Sequence, residues 1–591
     1  MGTVRMSAFR LPRLVTAVTA CLLGLTVVGG VSPGAASASA TLPVPGIAPQ
    51  FIYHQLAFMA THFQRREAGY RSNAPGHDGF ARYWASEMLR QLGPFGAKAR
   101  RFPFKTPGWL GRPTTARAVN VEVTVPGVTQ PAKVVVIGCH YDGEATSTQS
   151  ANDDASGCAI ELGVAEAMAR FWRSHGLYPA RTLRFVIFDA EEQGVLGSFD
   201  YVNHEANATV PGIVAMFNEE QNGIGYPLRF LGNLARPVMP THIFLSPTAP
   251  NRLYRKLALQ PAQAAASKAF ADTMTSAVTG AFAEFRRLGY RALTYHGSDG
   301  TQVWKPIFTA AQVRHVPIAS DTLGSSDQIP FTLADIPDAM FIGNWTYYER
   351  SAPAGSYPFD RPQDTIGLMN TFADGGAGQS QALTMALALP AMLTTWMLSQ
   401  PDVLGQARPD ARPIAAIGSI GQVLPHQPVT LTATAFVPGD PAAKLRYSWQ
   451  LGDGTAATGQ TVRHAYATGT RTLRLTVSAR GHGTRTVSQV ISVGQPATYV
   501  NPYVRSPNGL PRAVLEGHPP ANPEVTLPMA RPGLTDKVGR AASARRRAPA
   551  KSSSTGWIAP AIIVVVLAAG IAVVARRRLR LQAARRDRSA R

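Results

Sequence analysis

Apolar residues form short continuous runs and longer periodic stretches between residues 41 and 401. The runs are AKVVVIGCHYD, RTLRFVIFDA, PGIVAMFNEE and IPDAMFIG, and one periodic stretch is GCAIELGVAEAMARFWRSHG. Runs of this kind predict buried strands, whereas the periodic stretches predict helices. Residues 41–401 are therefore predicted to form an α/β domain, a sheet covered by helices on both faces.

A different pattern extends from about Arg412 to Gln495. Polar and apolar residues alternate in PVTLTATAFV, LRYSWQL, RTLRLTVSA and TRTVSQVISV, and turns rich in Gly, Pro and Asp separate these segments. The alternation predicts a small immunoglobulin-like β-sandwich over residues 412–495. We expect the sandwich to have its own core, so that a chain ending near Pro401 folds without it.

Both ends of the chain have the composition of targeting segments. Residues 1–40 contain arginines, then an apolar run and the stretch ASASA, which is typical of a signal peptide. The apolar run continues past Cys21, which disfavours the alternative of a lipoprotein signal. Residues 496–556 predict a disordered stalk. Residues 557–575 are uncharged and predict a transmembrane helix, and the basic tail 576–591 predicts a cytoplasmic end with the folded part outside.

The formal net charge of +22 raises the question of a nucleic-acid partner. The tail 576–591 has eight arginines and one aspartate, so much of the excess lies where it would meet anionic lipid headgroups. The sequence contains no run that combines basic and aromatic residues in a groove-like pattern. We therefore expect a membrane contact and no nucleic-acid partner, and the oligomeric state is left open.

Two cysteines, Cys139 and Cys158, remain after the predicted signal peptide. A secreted domain of this size does not need disulfides. We expect the two side chains to fill small apolar spaces, with a disulfide as the alternative.

Acidic residues and one histidine cluster where the predicted strands end. In chain order they are His140, Asp142, Asp153, Asp154, Asp189, Glu191, Glu192, Glu219 and Glu220. The carboxyl ends of the strands in an open α/β sheet share one edge, where ligands bind. Because clustered carboxylates repel one another, the pattern predicts one or two divalent metal ions at this edge.

The motifs HYD, NDDASG and DAEEQGVLGS occur in this order, after SNAPGHDGFARYWASEMLRQLG. Together they resemble the zinc aminopeptidases of family M28 over most of residues 41–401. The resemblance implies an α/β/α sheet domain that acts on peptide or protein substrates and removes N-terminal residues. It also implies two zinc ions, with manganese or cobalt as possible replacements.

The resemblance assigns a role to individual residues. His140 would bind one metal ion, Glu192 would bind the second, and Asp153 would bridge the two. Glu191 would be the general base that takes a proton from water. Asp142 would orient the ring of His140.

Two positions depart from the family pattern. Glu220 stands where the family has an aspartate ligand, which keeps the charge on a longer side chain. In PFDRPQDTIG, Asp360 stands where the family has a histidine ligand. We expect Asp360 to bind metal, with His296 or His315 as alternatives. Glutaminyl cyclisation at a single zinc and a catalytically inactive cell-surface binding protein remain alternative functions.

Some residues have simpler interpretations. Asp154 is predicted to cap the helix that follows it, and Asp189 to accept backbone hydrogen bonds at a strand end. The segment YSWQLGDGTAATGQTVRHAYATGTRTLRLTVS resembles a PKD domain. That resemblance implies a spacer or adhesion unit with Trp449 in its core, and Asp453 is expected to be a turn residue rather than a calcium ligand.

Overall fold

A computed structural model of the chain describes residues 44–68, 75–105, 117–224, 241–248, 261–287, 294–295, 305–306, 316, 318–321, 326–343, 357–373, 380–494 and 499. Outside them lie the predicted signal peptide (1–40), the stalk (496–556) apart from Tyr499, the transmembrane helix (557–575) and the tail (576–591). His296 and His315, the alternative ligands, also lie outside the described residues.

The helices include those that the periodic stretches predict. The α-helices among the described residues are α1 Pro49–His62, α2 Pro75–Leu92, α3 Ala155–His175, α4 Leu196–Asp200, α5 Pro261–Arg287, α6 Ile329–Leu333, α7 Ile366–Ala373 and α8 Ser380–Ser399. A π-helical turn, Tyr201–Glu205, follows α4, and short 3-10 segments cover Gly93–Phe95 and Asn207–Gly212. The carboxylate of Asp154 accepts a hydrogen bond from the Gly157 N–H, which confirms that Asp154 caps α3.

One mixed sheet forms the centre of the α/β domain. The strands in this part of the chain are β1 Lys98–Lys105, β2 Arg117–Val125, β3 Gln130–His140, β4 Tyr178–Pro179, β5 Arg181–Phe188, β6 Ile213–Glu220, β7 His242–Leu245, β8 Thr294–Tyr295, β9 Lys305–Pro306, β10 Ile318–Ser320 and β11 Asp338–Ile342. Eight of them pair in the order β1-β2-β5-β3-β6-β11-β7-β10. Strands β5, β3, β6 and β11 are the four predicted apolar runs, and they are mutually parallel.

The two faces of the sheet are covered differently. On one face α3 packs on β3 and β6, α2 packs on β2, and α1 and α8 pack beside α3, with α5 against α8. Among the described helices, α8 alone is long and apolar enough to cross a membrane, but it is largely buried in this layer. The other face carries only short elements, where Phe188 of β5 contacts Tyr201 and Phe331. The predicted cover of helices is therefore confirmed on one face, whereas on the other the described helical segments are five or six residues long and the sandwich also contacts β3.

The second domain is the predicted sandwich. Its strands are β13 Ile414–Ile417, β14 Pro428–Phe436, β15 Leu445–Gln450, β16 Ala456–Thr458, β17 Thr461–Ala465, β18 Gly469–Ala479 and β19 Gly483–Val493, whereas the short β12 Gln406–Ala407 before them pairs with β4 of the α/β domain. Sheets β13-β14-β17 and β16-β15-β18-β19 enclose the fully buried Trp449. The Asp453 carboxylate accepts a hydrogen bond from the Thr455 N–H and pairs with His464, as expected of a turn residue.

A buried polar network joins the sandwich to the α/β domain. The Ser419 hydroxyl donates to Glu122 Oε2 at 2.8 Å, the Tyr201 hydroxyl donates to the same oxygen at 2.6 Å, and Thr124 donates to Oε1 at 2.7 Å. Burial would raise the pKa of Glu122, but the charge of Arg184 and the hydrogen bonds from Tyr201 and Thr124 lower it. A chain ending near Pro401 would lose the hydrogen bond from Ser419 to Glu122, and the folding of such a chain on its own stays a prediction.

We expect Ser419→Ala to lower the free energy of unfolding by about 1–2 kcal/mol, because a buried carboxylate loses a hydrogen-bond donor. Chemical denaturation of the full chain measures the change. Ser448→Ala is the matched control, since Ser448 is exposed on β15 and its loss should change stability by less than about 0.5 kcal/mol. Equal effects of the two substitutions would show that the network does not stabilise the docked sandwich.

Candidate metal centre

The predicted metal ligands meet at the carboxyl edge of β3, β5 and β6. They form two overlapping groups whose donor atoms lie within 4.8 Å of one another, namely His140, Asp153 and Glu220, and Asp153, Glu192 and Asp360. His140 ends β3 and Glu220 ends β6, whereas Glu192 follows β5. Asp153 belongs to both groups, which is the position that a bridging carboxylate needs.

The ring of His140 is fully buried among carboxylates. Its Nε2 lies 2.9 Å from Asp153 Oδ1 and 3.8 Å from Glu220 Oε2, and its Nδ1 lies 3.4 Å from Asp142 Oδ1. Within the described part of the chain, neither ring nitrogen makes a well-aligned hydrogen bond, and nor does Asp153 Oδ1. Buried donor atoms that face one another without hydrogen bonds fit a cation between them, so these residues fit a metal ion.

Asp142 connects the histidine to the two glutamates. One carboxylate oxygen accepts a hydrogen bond from the Glu191 N–H at 3.1 Å, and the other accepts from the Glu192 N–H at 3.3 Å. The same carboxylate faces the His140 ring. Asp142 therefore lies where it can orient the ring, and it also fixes the backbone of the glutamate pair.

A sharp turn after β5 brings the glutamate pair to the site. Ala190 has a φ of 60°, in the left-handed region, so the chain bends away from the strand direction. The Asp189 carboxylate holds this turn by accepting hydrogen bonds from the N–H groups of Ala190 and Val119 and from the Tyr141 hydroxyl. The structural role predicted for Asp189 is confirmed.

Adjacent glutamates at the end of β6 point in opposite directions, as successive strand residues do. Glu220 faces His140, and its Oε2 accepts a hydrogen bond from the Ser326 hydroxyl at 2.5 Å. Glu219 faces α8, where it accepts a hydrogen bond from Thr394 at 2.7 Å. Burial raises the pKa of Glu219 to about 8, so this side chain is mostly protonated at neutral pH. Of the two, only Glu220 faces the site.

Asp360 lies in the second group of ligands. Its φ of 59° is left-handed, and the Thr146 hydroxyl donates to its backbone carbonyl at 2.7 Å. Burial raises the pKa of Asp360 well above its ordinary value, and the negative charges of Asp153 and Glu144 raise it further. The pKa of Glu192 is also raised well above its ordinary value, first by burial and then by the negative charges of Asp360 and Asp153. A divalent cation would relieve this mutual repulsion.

Asp364, which sequence reasoning did not assign, holds the segment that carries the bridging carboxylate. It accepts hydrogen bonds from the N–H groups of Asn152 at 2.8 Å and Asp153 at 3.1 Å, and from the Tyr357 hydroxyl at 2.8 Å. Burial raises the pKa of Asp364 to about 7. The segment PFDRPQDTIG could have indicated this residue, since Asp364 is the aspartate of its QDT sequence.

Arg66, also missed, holds the loop between His140 and Asp153. Its buried guanidinium donates to the backbone carbonyls of Tyr141 at 2.7 Å, Gln149 at 2.6 Å and Ser150 at 2.8 Å. Burial lowers the pKa of Arg66 to about 10, so the side chain stays charged at neutral pH. No local pattern around Arg66 indicates these contacts, because they join segments far apart in the chain.

Asp327 is a further carboxylate that the strand-end argument did not include. It is fully buried just before α6, and neither oxygen makes a well-aligned hydrogen bond with the described residues. Burial raises the pKa of Asp327 to about 7, although the charge of His140 and a hydrogen bond with Ser198 act to lower it. Its charge in turn contributes to the raised pKa of Glu191, so Asp327 belongs to the electrostatic environment of the site.

The two cysteines form a disulfide, which corrects the expectation that they only fill apolar space. Their Cα atoms are 5.6 Å apart, and both side chains are buried. Cys139 precedes His140 at the end of β3, and Cys158 lies in the first turn of α3, close to Asp153. The bond thus links the two segments that carry the first group of ligands.

Parts of the chain match known proteins. Residues 120–307 match peptidase family M28, and residues 410–493 match the PKD domain. A probable zinc metalloprotease of Pyricularia oryzae is 31% identical over 144 residues, 22% of this chain and 27% of that protein. Carboxypeptidase Q of Pongo abelii is 36% identical over 124 residues, 20% of this chain and 25% of that protein. The chain thus spans about a quarter of the length of each of these relatives.

A solved structure with a related arrangement is BSAP, a zinc aminopeptidase from Bacillus subtilis. It is 13% identical to this chain, with a TM-score of 0.39, and the similarity covers 61% of this chain and 97% of that chain. A similarity of this size carries no functional conclusion. Glu220 lies inside the segment that matches family M28, whereas Asp360 lies beyond it. The place of Asp360 in the site therefore rests on the geometry.

We expect Asp364→Asn to weaken zinc binding by about 10–100-fold, because an amide has one acceptor oxygen where the Asn152 and Asp153 N–H groups need two. Isothermal titration of the metal-free protein with zinc measures the affinity. Tyr357→Phe removes one donor to Asp364 and leaves both backbone hydrogen bonds, so it should have a smaller effect. If zinc affinity is unchanged in Asp364→Asn, the Asp364 carboxylate does not position Asp153 for metal binding.

Proposed function

We propose that the protein is a membrane-anchored, extracellular, metal-dependent aminopeptidase, on the basis that residues 120–307 match peptidase family M28. The observation that carries the proposal is the pair of ligand groups that share Asp153, with Glu191 beside them. The extracellular, anchored location rests on the sequences of residues 1–40 and 557–591.

Metal ions held by the ligand groups would activate the water and the substrate, and a protein side chain would transfer the proton. Zinc ions bound there would lower the pKa of a water molecule and polarise the carbonyl of the scissile peptide. Glu191 belongs to neither group and can accept the proton of the attacking water, then donate it to the leaving amine. Burial raises the pKa of Glu191 well above its ordinary value, and this suits a group that exchanges a proton near neutral pH.

The charge around the site favours an amine terminus of the substrate over a carboxylate terminus. Glu144 is half-buried beside Glu192, whose carboxylate accepts a hydrogen bond from the Glu144 N–H. Glu67 is close enough to raise the pKa of Glu144, and Arg361 is a cation that opposes this. Two divalent ions would balance the four ligand carboxylates, and Glu144 and Glu67 still outnumber Arg361, so the local potential would attract a protonated amine.

Two alternatives have less support. Glutaminyl cyclisation at a single zinc would not require the group of His140, Asp153 and Glu220, which the chain retains. A binding protein without activity would not require Glu191 or its placement next to both groups. Metal analysis of the purified protein, together with mass spectrometry of a peptide panel, separates the three functions. Release of free N-terminal residues supports the proposal, whereas pyroglutamate formation or no product contradicts it.

We expect Glu191→Gln to lower kcat at least ~100-fold while metal content stays nearly unchanged, because the amide keeps the shape but cannot accept the proton. Single-turnover assays and element analysis measure the two quantities. Glu144→Gln is a useful comparison, since it removes a nearby charge outside the ligand groups and should mainly raise KM. Near-normal turnover in Glu191→Gln would mean that another group is the base.

We expect Asp360→Ala to lower the metal content from about two ions per chain to about one, because only the second group uses Asp360. Asp360→His should raise zinc affinity, since imidazole is a softer ligand and histidine tolerates the left-handed conformation at this position. Asp402→Ala, at an exposed aspartate in the domain connection, is the control. Unchanged stoichiometry and affinity in both Asp360 variants would show that Asp360 is not a ligand.

A further inference from the structure

A crevice between the α/β domain and the sandwich lies far from the metal centre. It has a volume of about 350 Å³ and is lined by residues 128–133 on one side and residues 485–488 of β19 on the other. The first segment leads into β3, whose opposite end carries His140. At about 3.3 Å per strand residue, the crevice is roughly 30 Å from the proposed active site. It is therefore a separate feature of the molecule.

The crevice continues onto the outer face of the sheet β16-β15-β18-β19. Thr486 and Ser488, in the crevice wall, are directly opposite Thr476 and Arg474 on β18. Arg474 is in turn opposite Gln450 on β15. The outward residues of these strands are mostly exposed and carry hydroxyl groups. Wall and sheet face thus form one extended polar surface.

Three cations of this surface have no partner among the described residues, whereas Arg485 in the crevice wall and the acidic residues of the sandwich are paired. Lys133, Arg446 and Arg474 are exposed, and their side chains make no hydrogen bond or ion pair with the described residues. Asp410 pairs with Arg412 and Arg485.

The remaining acidic residues near the sandwich surface follow the same pattern. Asp440 pairs with His482, and Asp453 pairs with His464. Strands β15, β18 and β19 contain no Asp or Glu. The sheet face is therefore positively charged, with hydroxyl groups between the charges.

We propose that this surface, formed by Lys133, Arg446, Arg474, Thr476, Thr486 and Ser488, binds a linear anionic polysaccharide. Free ammonium and guanidinium groups would pair with the acid groups of the polymer. The rows of threonine and serine would exchange hydrogen bonds with sugar hydroxyls along an extended chain. The crevice would bind one part of the polysaccharide, and the flat sheet face would bind the part that continues from it.

The side chains on this face disfavour other polyanions. The aromatic residues of β15, Tyr447 and Trp449, pack into the sandwich core, so the face has no ring on which nucleic-acid bases could stack. Val490 is the large apolar side chain exposed on β19, which is too little for insertion into a lipid surface. An anionic glycan requires neither base stacking nor an apolar face. This inference does not depend on the proposed peptidase activity.

Binding of the full-length protein to immobilised polygalacturonate tests the proposal. Fully methyl-esterified polygalacturonate is the matched probe, because it has the same backbone without the charge. We expect at least ~10-fold weaker binding to the ester, and a steep loss of polygalacturonate binding as salt is raised. We also expect Lys133→Gln, Arg446→Gln and Arg474→Gln together to weaken polygalacturonate binding at least ~10-fold with peptide hydrolysis unchanged.

Arg463→Gln is the control variant, since Arg463 is exposed on β17 in the other sheet; it should bind polygalacturonate like the unmodified protein. Arg474→Gln alone should weaken binding by about threefold, which keeps the test decisive if the triple variant folds poorly. Equal binding of the acid and ester polymers overturns the proposal, as does unchanged binding in the triple variant. Equal or tighter binding of poly-L-glutamate, single-stranded DNA or anionic phosphatidylserine vesicles overturns the assignment to a glycan.

Discussion

The repulsion among buried carboxylates at one edge of the sheet is the constraint on which the site depends. Asp153, Glu192 and Asp360 share a small, partly buried volume, so their negative charges are accommodated by protons or by a cation. The buried histidine next to them supplies a nitrogen ligand without adding negative charge. The fold therefore brings together side chains that are unfavourable as a group until a positive ion lies among them.

Carboxylates that are not ligands hold the backbone of this cluster. Asp142 accepts hydrogen bonds from the glutamate pair, Asp189 from the turn after β5, and Asp364 from the segment of Asp153. Each carboxylate accepts hydrogen bonds from backbone N–H groups, so each fixes the position of one segment that carries a ligand. Arg66 complements them by binding backbone carbonyls of the loop that follows His140. The ligand geometry is thus determined by an outer layer of charged groups bonded to the main chain.

The parts of the molecule that could be predicted from the sequence are those with a local pattern. The parallel strands have continuous apolar runs, and residues at their ends must meet at one edge, which placed His140 and Glu220 correctly. Asp327 and Arg66 act across distant segments, and nothing in their neighbouring residues indicates this. The docking of the sandwich includes a hydrogen bond from the Ser419 hydroxyl to the buried Glu122, beside others such as Arg100 to the Ser419 carbonyl. A serine in a loop between strands carries no such information, so the domains were expected to be independent.

The disulfide between Cys139 and Cys158 makes assembly of the site depend on the redox compartment. Disulfides form and persist in oxidising environments, whereas a reducing cytoplasm keeps cysteines as thiols. Without the bond, the end of β3 that carries His140 and the first turn of α3, just after Asp153, would be held together only by non-covalent contacts. Protein produced in a reducing cytoplasm would therefore have one constraint fewer on the relative position of His140 and Asp153, so its zinc affinity should be compared with that of the oxidised protein.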